Sequence, residues 1–257
     1  MEKIIKKYNL TNADVQKIKK ESKIKNPEIL KQHIIDLIKC LSLNVDEIRE
    51  ILIKYPNMLT YSTETILEKQ ETFINNFGFT EEEFKNLIVK APEIISLGIK
   101  NIENKYQFLN EMLFVSKNDF KRMILKHPAI LSYSKDALNK KINIFLKNEL
   151  SPKEIIANPI MLSLSTASFT TRLAICKYFR ISLNTFISKR LFMENDEKLY
   201  SNLMYLKEKN LAYSRYNLIA KKLPISRAIK NLYPFNKDAK KKVFECSDVY
   251  DENGNQI

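Results

Sequence analysis

Apolar and polar residues alternate along this chain with a helical period, and the period restarts at prolines. In "KYPNMLTYS" (Lys54–Ser62) and the residues after it, Ile66, Leu67, Phe73, Ile74 and Phe77 recur three, four or seven apart and make one apolar stripe. Ser62 or Thr63 is placed to accept an orphan N–H and open that helix, and Gly78 to end it in a left-handed turn. "TEEE" (Thr80–Glu83) then reads as a capping box that opens a second helix, carrying Phe84, Leu87 and Ile88. This helix stops short of Pro92, because the residue before a proline avoids the helical region. The few residues that follow, "PEII", suit a single 3₁₀ turn.

The same phrase returns as "KAPEIISLG" from Lys90, "KHPAILSYS" from Lys126 and "ANPIMLSLS" from Ala157. Pro27, Pro56, Pro92, Pro128, Pro159 and Pro224 give spacings of 29, 36, 36, 31 and 65; Leu191 sits where a proline would halve the last interval. Lys54, Lys90, Lys126 and Lys222 precede their prolines by two, and Ile48, Phe84, Phe120 and Tyr216 by eight. Capping-box signatures recur at Thr11–Asp14, Asn44–Glu47, Ser116–Asp119 and Ser151–Glu154, the last with Pro152 at the first helical position. The unit is helix, tight turn, helix, proline-started turn, and such units bury their apolar faces only by stacking. The expected fold is all-α: a solenoid of about six repeats. The unit ending at Pro159 has a second helix shorter by about one turn. The expected organisation is one repeat domain over residues 1–246, best formed at 44–181, degenerate and basic at 182–235, with a basic segment at 236–246. An acidic, disordered tail is expected at 247–257.

"P-x-[IM]-[LI]-[ST]-x-[SG]", followed by a helix bearing "KxxxFI" or "KxxxFL" and a capped helix returning to the next proline, resembles the mitochondrial transcription termination factor (mTERF) family. The resemblance covers roughly residues 9–235 and is strongest from Asn44 to Ser165. It implies a left-handed α-solenoid shaped like a half-ring, with a basic path for nucleic acid. Members bind double-stranded DNA and influence transcription, or bind structured RNA in ribosome assembly or splicing, in mitochondria and chloroplasts.

Charge locates the partner surface. The chain of 257 residues carries a formal charge of +13, and residues 137–244 hold 21 basic against 7 acidic side chains. Five of the seven arginines lie there. An AT-rich genome would raise the lysine content, but not concentrate the surplus in one half. A concentrated basic surface is the footprint of a polyanion. The expected nucleic-acid contacts are Lys141, Arg172, Arg180, Arg190, Tyr213, Arg215, Lys221, Lys222, Arg227 and Lys230, with Tyr213 offering a ring on which a base can stack. Lys69, Lys105, Lys141 and Arg172 each follow a proline by thirteen residues. In the nearly neutral half, Lys69 and Lys105 are expected to be solvated lysines lying over the core. The lysines before the prolines, Lys222 excepted, are expected to be helix-end cations.

No catalytic pattern is present. His33 and His127 lack spaced partners, and Cys40, Cys176 and Cys246 form no metal spacing and imply free, mostly buried thiols. No cofactor is expected, no apolar run is long enough for a membrane span, and a monomer is expected. The N-terminus holds acids and no Arg, and reads as neither a secretory signal nor a transit peptide, which leaves the compartment open. Three functions fit: double-stranded DNA binding in transcription, structured-RNA binding in ribosome assembly or RNA processing, and a protein scaffold.

Overall fold

The computed structural model describes residues 7–213, 216 and 223–257, without the side chains of 223–227. Among the described residues the regular structure is helical: α-helices, 3₁₀ turns and one isolated bridge, Tyr250 to Gln256. The chain divides into two compact units, residues 1–133 and 134–257, where one continuous domain was expected; the boundary falls inside the third proline phrase.

Unit 1 contains α1 (Asn12–Ser22), α2 (Pro27–Leu41), α3 (Val45–Lys54), α4 (Thr63–Phe77), α5 (Glu81–Lys90), α6 (Ile99–Leu113) and α7 (Lys117–Lys126). Its 3₁₀ turns are Pro56–Thr60, Pro92–Ser96 and Pro128–Ser132. Unit 2 contains α8 (Lys135–Lys147), α9 (Pro152–Ala157), α10 (Thr166–Tyr178), α11 (Leu183–Ser188), α12 (Asp196–Glu208), α13 (Leu223–Leu232) and α14 (Lys237–Glu245), with 3₁₀ turns at Pro159–Ser163 and Leu191–Met193. The capping boxes of Thr11, Asn44, Thr80, Ser116 and Ser151 are all closed, each satisfying two orphan donors at once. α9 is four residues shorter than α7, the missing turn that the sequence indicates.

The repeat register departs from the proline spacing at two places. Pro27 opens α2 at its first position behind the N-cap Asn26, so it corresponds to Thr63 and not to Pro56. Leu191 corresponds to Met161 rather than to a proline. Phe192 stands three residues before the N-cap Asn195, as Leu162 stands before Ser165, so Lys189 holds the proline's place.

The tight turns between the described helices of each repeat pass through a left-handed residue, and two further turns, at Asn9 and Asn210, are left-handed as well. The left-handed residues of these turns are Asn9, Ser42, Gly78, Phe114, Glu149, Arg180 and Asn210, with φ between 50 and 69°. Glycine occupies this position once; the other side chains accept the strain, and Phe114 does so while 82% exposed.

Three sets of cations join one repeat to the next. The first comes from the residue seven after each first-helix N-cap. In unit 1, Lys69 Nζ donates to the carbonyls of Ile94 (3.4 Å), Ile95 (2.5 Å) and Leu97, within and just after the next 3₁₀ turn. Lys105 reaches the Tyr133 carbonyl in the same way. His33 belongs to this set too: its Nδ1–H donates to the Leu59 carbonyl at 2.7 Å. In unit 2, Lys141 donates to Leu162 O (2.6 Å) and Arg172 to Phe192 O (2.6 Å). A neutral amide, Asn202, holds the position in the following first helix and is fully buried. The second set comes from the lysines before the prolines. Lys54 donates to the Val89 and Lys90 carbonyls at the end of α5, and Lys90 to the Leu125 and Lys126 carbonyls at the end of α7. These lysines therefore cap the helix of the next repeat, in addition to ending their own. The third set runs backwards: Arg49 donates to Asn9 O, Lys85 pairs with Glu47, and Lys121 donates to Gly78 O and pairs with Glu83.

The tail is not disordered. Val249 is fully buried, and residues 247–256 form a hairpin seated on unit 2. Its few apolar and amide-matched residues suffice to fix it; a count of its charges did not reveal them.

Two stability outcomes follow. Lys69→Met leaves three carbonyls without their donor and is expected to cost roughly 1–3 kcal/mol in chemical denaturation. Burial also holds the Lys69 ammonium down from 10.5, to about 8. Between those values the unfolded chain binds more protons than the folded one, so this site's contribution to stability rises with pH; below about 8 the cost of burying the charge is fully present. The stability advantage of the parent over Lys69→Met is therefore expected to widen as pH rises from about 8 towards 10.5. Phe114→Gly relieves a left-handed non-glycine residue and is expected to raise stability by about 0.5–1 kcal/mol in the same assay.

Candidate nucleic-acid interface

The inter-repeat bonds decide which cations of unit 2 remain available. Lys141 is half-buried, and burial lowers its ammonium pKa. Arg172 adds an ion pair, Nε to Asp196 Oδ1 at 2.7 Å, to its carbonyl bond, and its side chain is 14% exposed. Both residues thus hold one repeat to the next. Lys230 pairs with Glu197 at 2.5 Å and ties α13 to α12; its charge is met within the fold.

Arg180 is different. α10 closes with Phe179 N donating to Ile175 O, Arg180 N to Lys177 O and Ile181 N to Cys176 O, the pattern that a left-handed residue after a helix permits. This geometry turns the Arg180 side chain out to solvent at the carbonyl end of α10, where a cation is favoured. One repeat on, Lys207 and Lys209 stand exposed at the end of α12. Arg180 and Lys207 line a surface hollow of about 390 Å³ together with Tyr178, Phe179 and Tyr213. Lys207 Nζ lies 5.5 Å from the Tyr178 ring centre and 6.0 Å from that of Phe179, so the aromatic faces hold the cation in place. Tyr213 packs edge-on against Phe179 at 6.4 Å, and partial burial raises its hydroxyl pKa. Arg190 is also left-handed and exposed, beside the exposed Lys189, but it lies at the other end of α11 and outside this hollow.

Of the expected contacts, the structure thus brings Arg180 and Tyr213 together, and places Arg190 apart. Arg215, Lys221 and Lys222 lie outside the described residues. Arg227 is in α13, with its side chain outside the description. Tyr216 is buried in the core, as its repeat position indicates. Tyr178, Phe179, Lys207 and Lys209 were missed. The available signal was positional: Lys207 sits one repeat after Lys177, at the end of a first helix. Among the described residues no cluster of His, Cys, Asp and Glu is arranged to hold a metal ion. Burial pushes the Cys176 thiol far up, into its protonated form. Cys246 is exposed, contrary to the expected burial. No described helix is long and apolar enough to cross a membrane.

No curated protein matches the chain significantly. The profile of the mTERF family, by contrast, matches residues 3–198, which include every proline-started 3₁₀ turn and the Arg180 turn. With its helical repeats and its capped, proline-punctuated units, the chain belongs to the mTERF family.

Proposed function

We propose that this protein binds double-stranded DNA through unit 2 and acts on transcription, in regulation or termination. Membership of a family of nucleic-acid-binding helical-repeat proteins supports the general reading. One observation carries it for this chain. Arg180, Lys189, Arg190 and Lys209 stand exposed at helix ends with no acidic partner among the described residues, whereas the cations seven residues after the first-helix N-caps are committed to carbonyls. Uncommitted cations at fixed helix ends displace counterions from a phosphate backbone, which makes binding strong at low salt and steeply salt-dependent. This is a function of binding, with no chemistry asked of any side chain. A second reading, structured RNA, is favoured by the aromatic lining of the Arg180 hollow, since unstacked bases in RNA rest on such rings.

Crosslinking in the native cell, followed by sequencing of both bound DNA and bound RNA, separates the two. Enrichment of discrete DNA loci is the expected result, enrichment of RNA alone favours the second reading, and recovery of neither removes both. In vitro, Arg180→Ala with Arg190→Ala is expected to weaken binding to a DNA duplex and to flatten the slope of log affinity against log salt by about 2.

A further inference from the structure

The chain after residue 198 lies beyond the family match, yet it is built closely into unit 2. α14 lies along α10, which is enclosed on almost every side: Phe169, Thr170, Leu173, Ala174 and Cys176 are all buried. α14 buries Val243 and turns Lys237, Lys240 and Lys241 outward, at the i, i+3, i+4 spacing of a single strip. Lys240 lies over the Phe244 ring, 5.9 Å from its centre, and Lys241 has an exposed acidic neighbour, Glu245, at 3.7 Å.

The hairpin after α14 is fastened by hydrogen bonds rather than by ion pairs. The Ser247 hydroxyl lies within hydrogen-bond distance of the Val243 and Ala174 carbonyls. The buried Asn148 amide pairs both ways with the Tyr250 backbone, donating to its carbonyl at 2.7 Å and accepting from its N–H at 3.0 Å. Lys177 donates to the Asp248 backbone carbonyl, not to its carboxylate. The Asp251 carboxylate accepts from the Asn253 and Asn255 N–H groups and closes its own turn. Among the described residues, no carboxylate of the hairpin is within salt-bridge distance of a cation. An acidic shield over a basic surface would spend its carboxylates on that surface; those of Asp248 and Asp251 are spent on the hairpin itself.

We infer that α14 is a second nucleic-acid contact, outside the repeats, which takes the sugar–phosphate backbone by charge and without sequence choice, and that the hairpin is the latch that fixes it on α10. The inference rests on the nucleic-acid reading above. Its occupant is set by charge complementarity: three outward lysines on one rigid strip match a regular row of phosphates.

The test is a salt series of binding to a mixed-sequence DNA duplex with the full chain. The triple variant K237Q/K240Q/K241Q changes only exposed residues, and its unfolding midpoint is expected to match the parent's. Its binding is expected to weaken, with a salt slope shallower by about 2–3; unchanged affinity and slope would overturn the inference. A chain ending at Cys246 is expected to bind more weakly as well, and tighter binding would instead make the hairpin a shield and the inference wrong. Arg180→Ala with Arg190→Ala is the control. If that pair weakens binding and the triple variant does not, only the α14 contact fails; if the parent itself shows no salt-dependent binding, the nucleic-acid reading fails.

Discussion

The proline-started 3₁₀ turn creates a demand for hydrogen-bond donors, and the arrangement of the repeats follows from how that demand is met. A proline ends the second helix cleanly, but the short turn it opens leaves carbonyls that no helix can satisfy. Thr60, Ser96 and Ser163 meet part of the demand within their own turns by bonding back to the Asn57, Glu93 and Ile160 carbonyls. The remaining carbonyls face the preceding repeat. The donor is a single side chain from that repeat's first helix: His33, Lys69 and Lys105 in unit 1, Lys141 and Arg172 in unit 2. Apolar stacking supplies most of the attraction between repeats, but it does not set register. A donor of fixed reach to a carbonyl of fixed position does.

This division of labour also explains how charge is distributed between structure and function. Most of the repeat-spaced cations are occupied, some on carbonyls of the 3₁₀ turns, some on the carbonyls that end second helices, and some on capping-box carboxylates. Periodicity in a basic residue is therefore a sign of packing here. The cations left to meet a partner are those that break the period or lie at turns, such as Arg180, Lys189 and Arg190.

Most of the fold was legible in the sequence because its devices are local. A capping box, a proline and a left-handed glycine each act over four residues or fewer, and Thr80–Glu83, Pro92 and Gly78 do what their chemistry requires. Where the sequence misled, the determinant was distant. Lys141 and Arg172 read as edge cations on an amphipathic helix, and nothing within that helix tells that carbonyls 20 or 21 residues on will claim them. His33 escaped notice because a histidine does not look like a lysine, although only a short reach and one N–H were needed. The tail looked acidic and loose because the contacts that seat it involve Asn148, some 102 residues away. The hollow beside Arg180 was half legible: Arg180 and Tyr213 were visible as types, but Lys207 joins them only when α10 and α12 lie side by side.

The donors that reach the 3₁₀ turns all point one way along the chain: the donor precedes its acceptor in sequence, from His33 to Leu59 and from Arg172 to Phe192. The ribosome releases the chain in that order. Each lysine or arginine therefore emerges first, and waits in water at no cost, because an ammonium or guanidinium is well solvated there. The carbonyls that need it arrive some twenty to thirty residues later and are claimed as their turn forms. With the opposite polarity, a newly packed turn would bury acceptors before any donor had been made. The direction of these bonds lets the turns be satisfied behind the growing end, one repeat at a time.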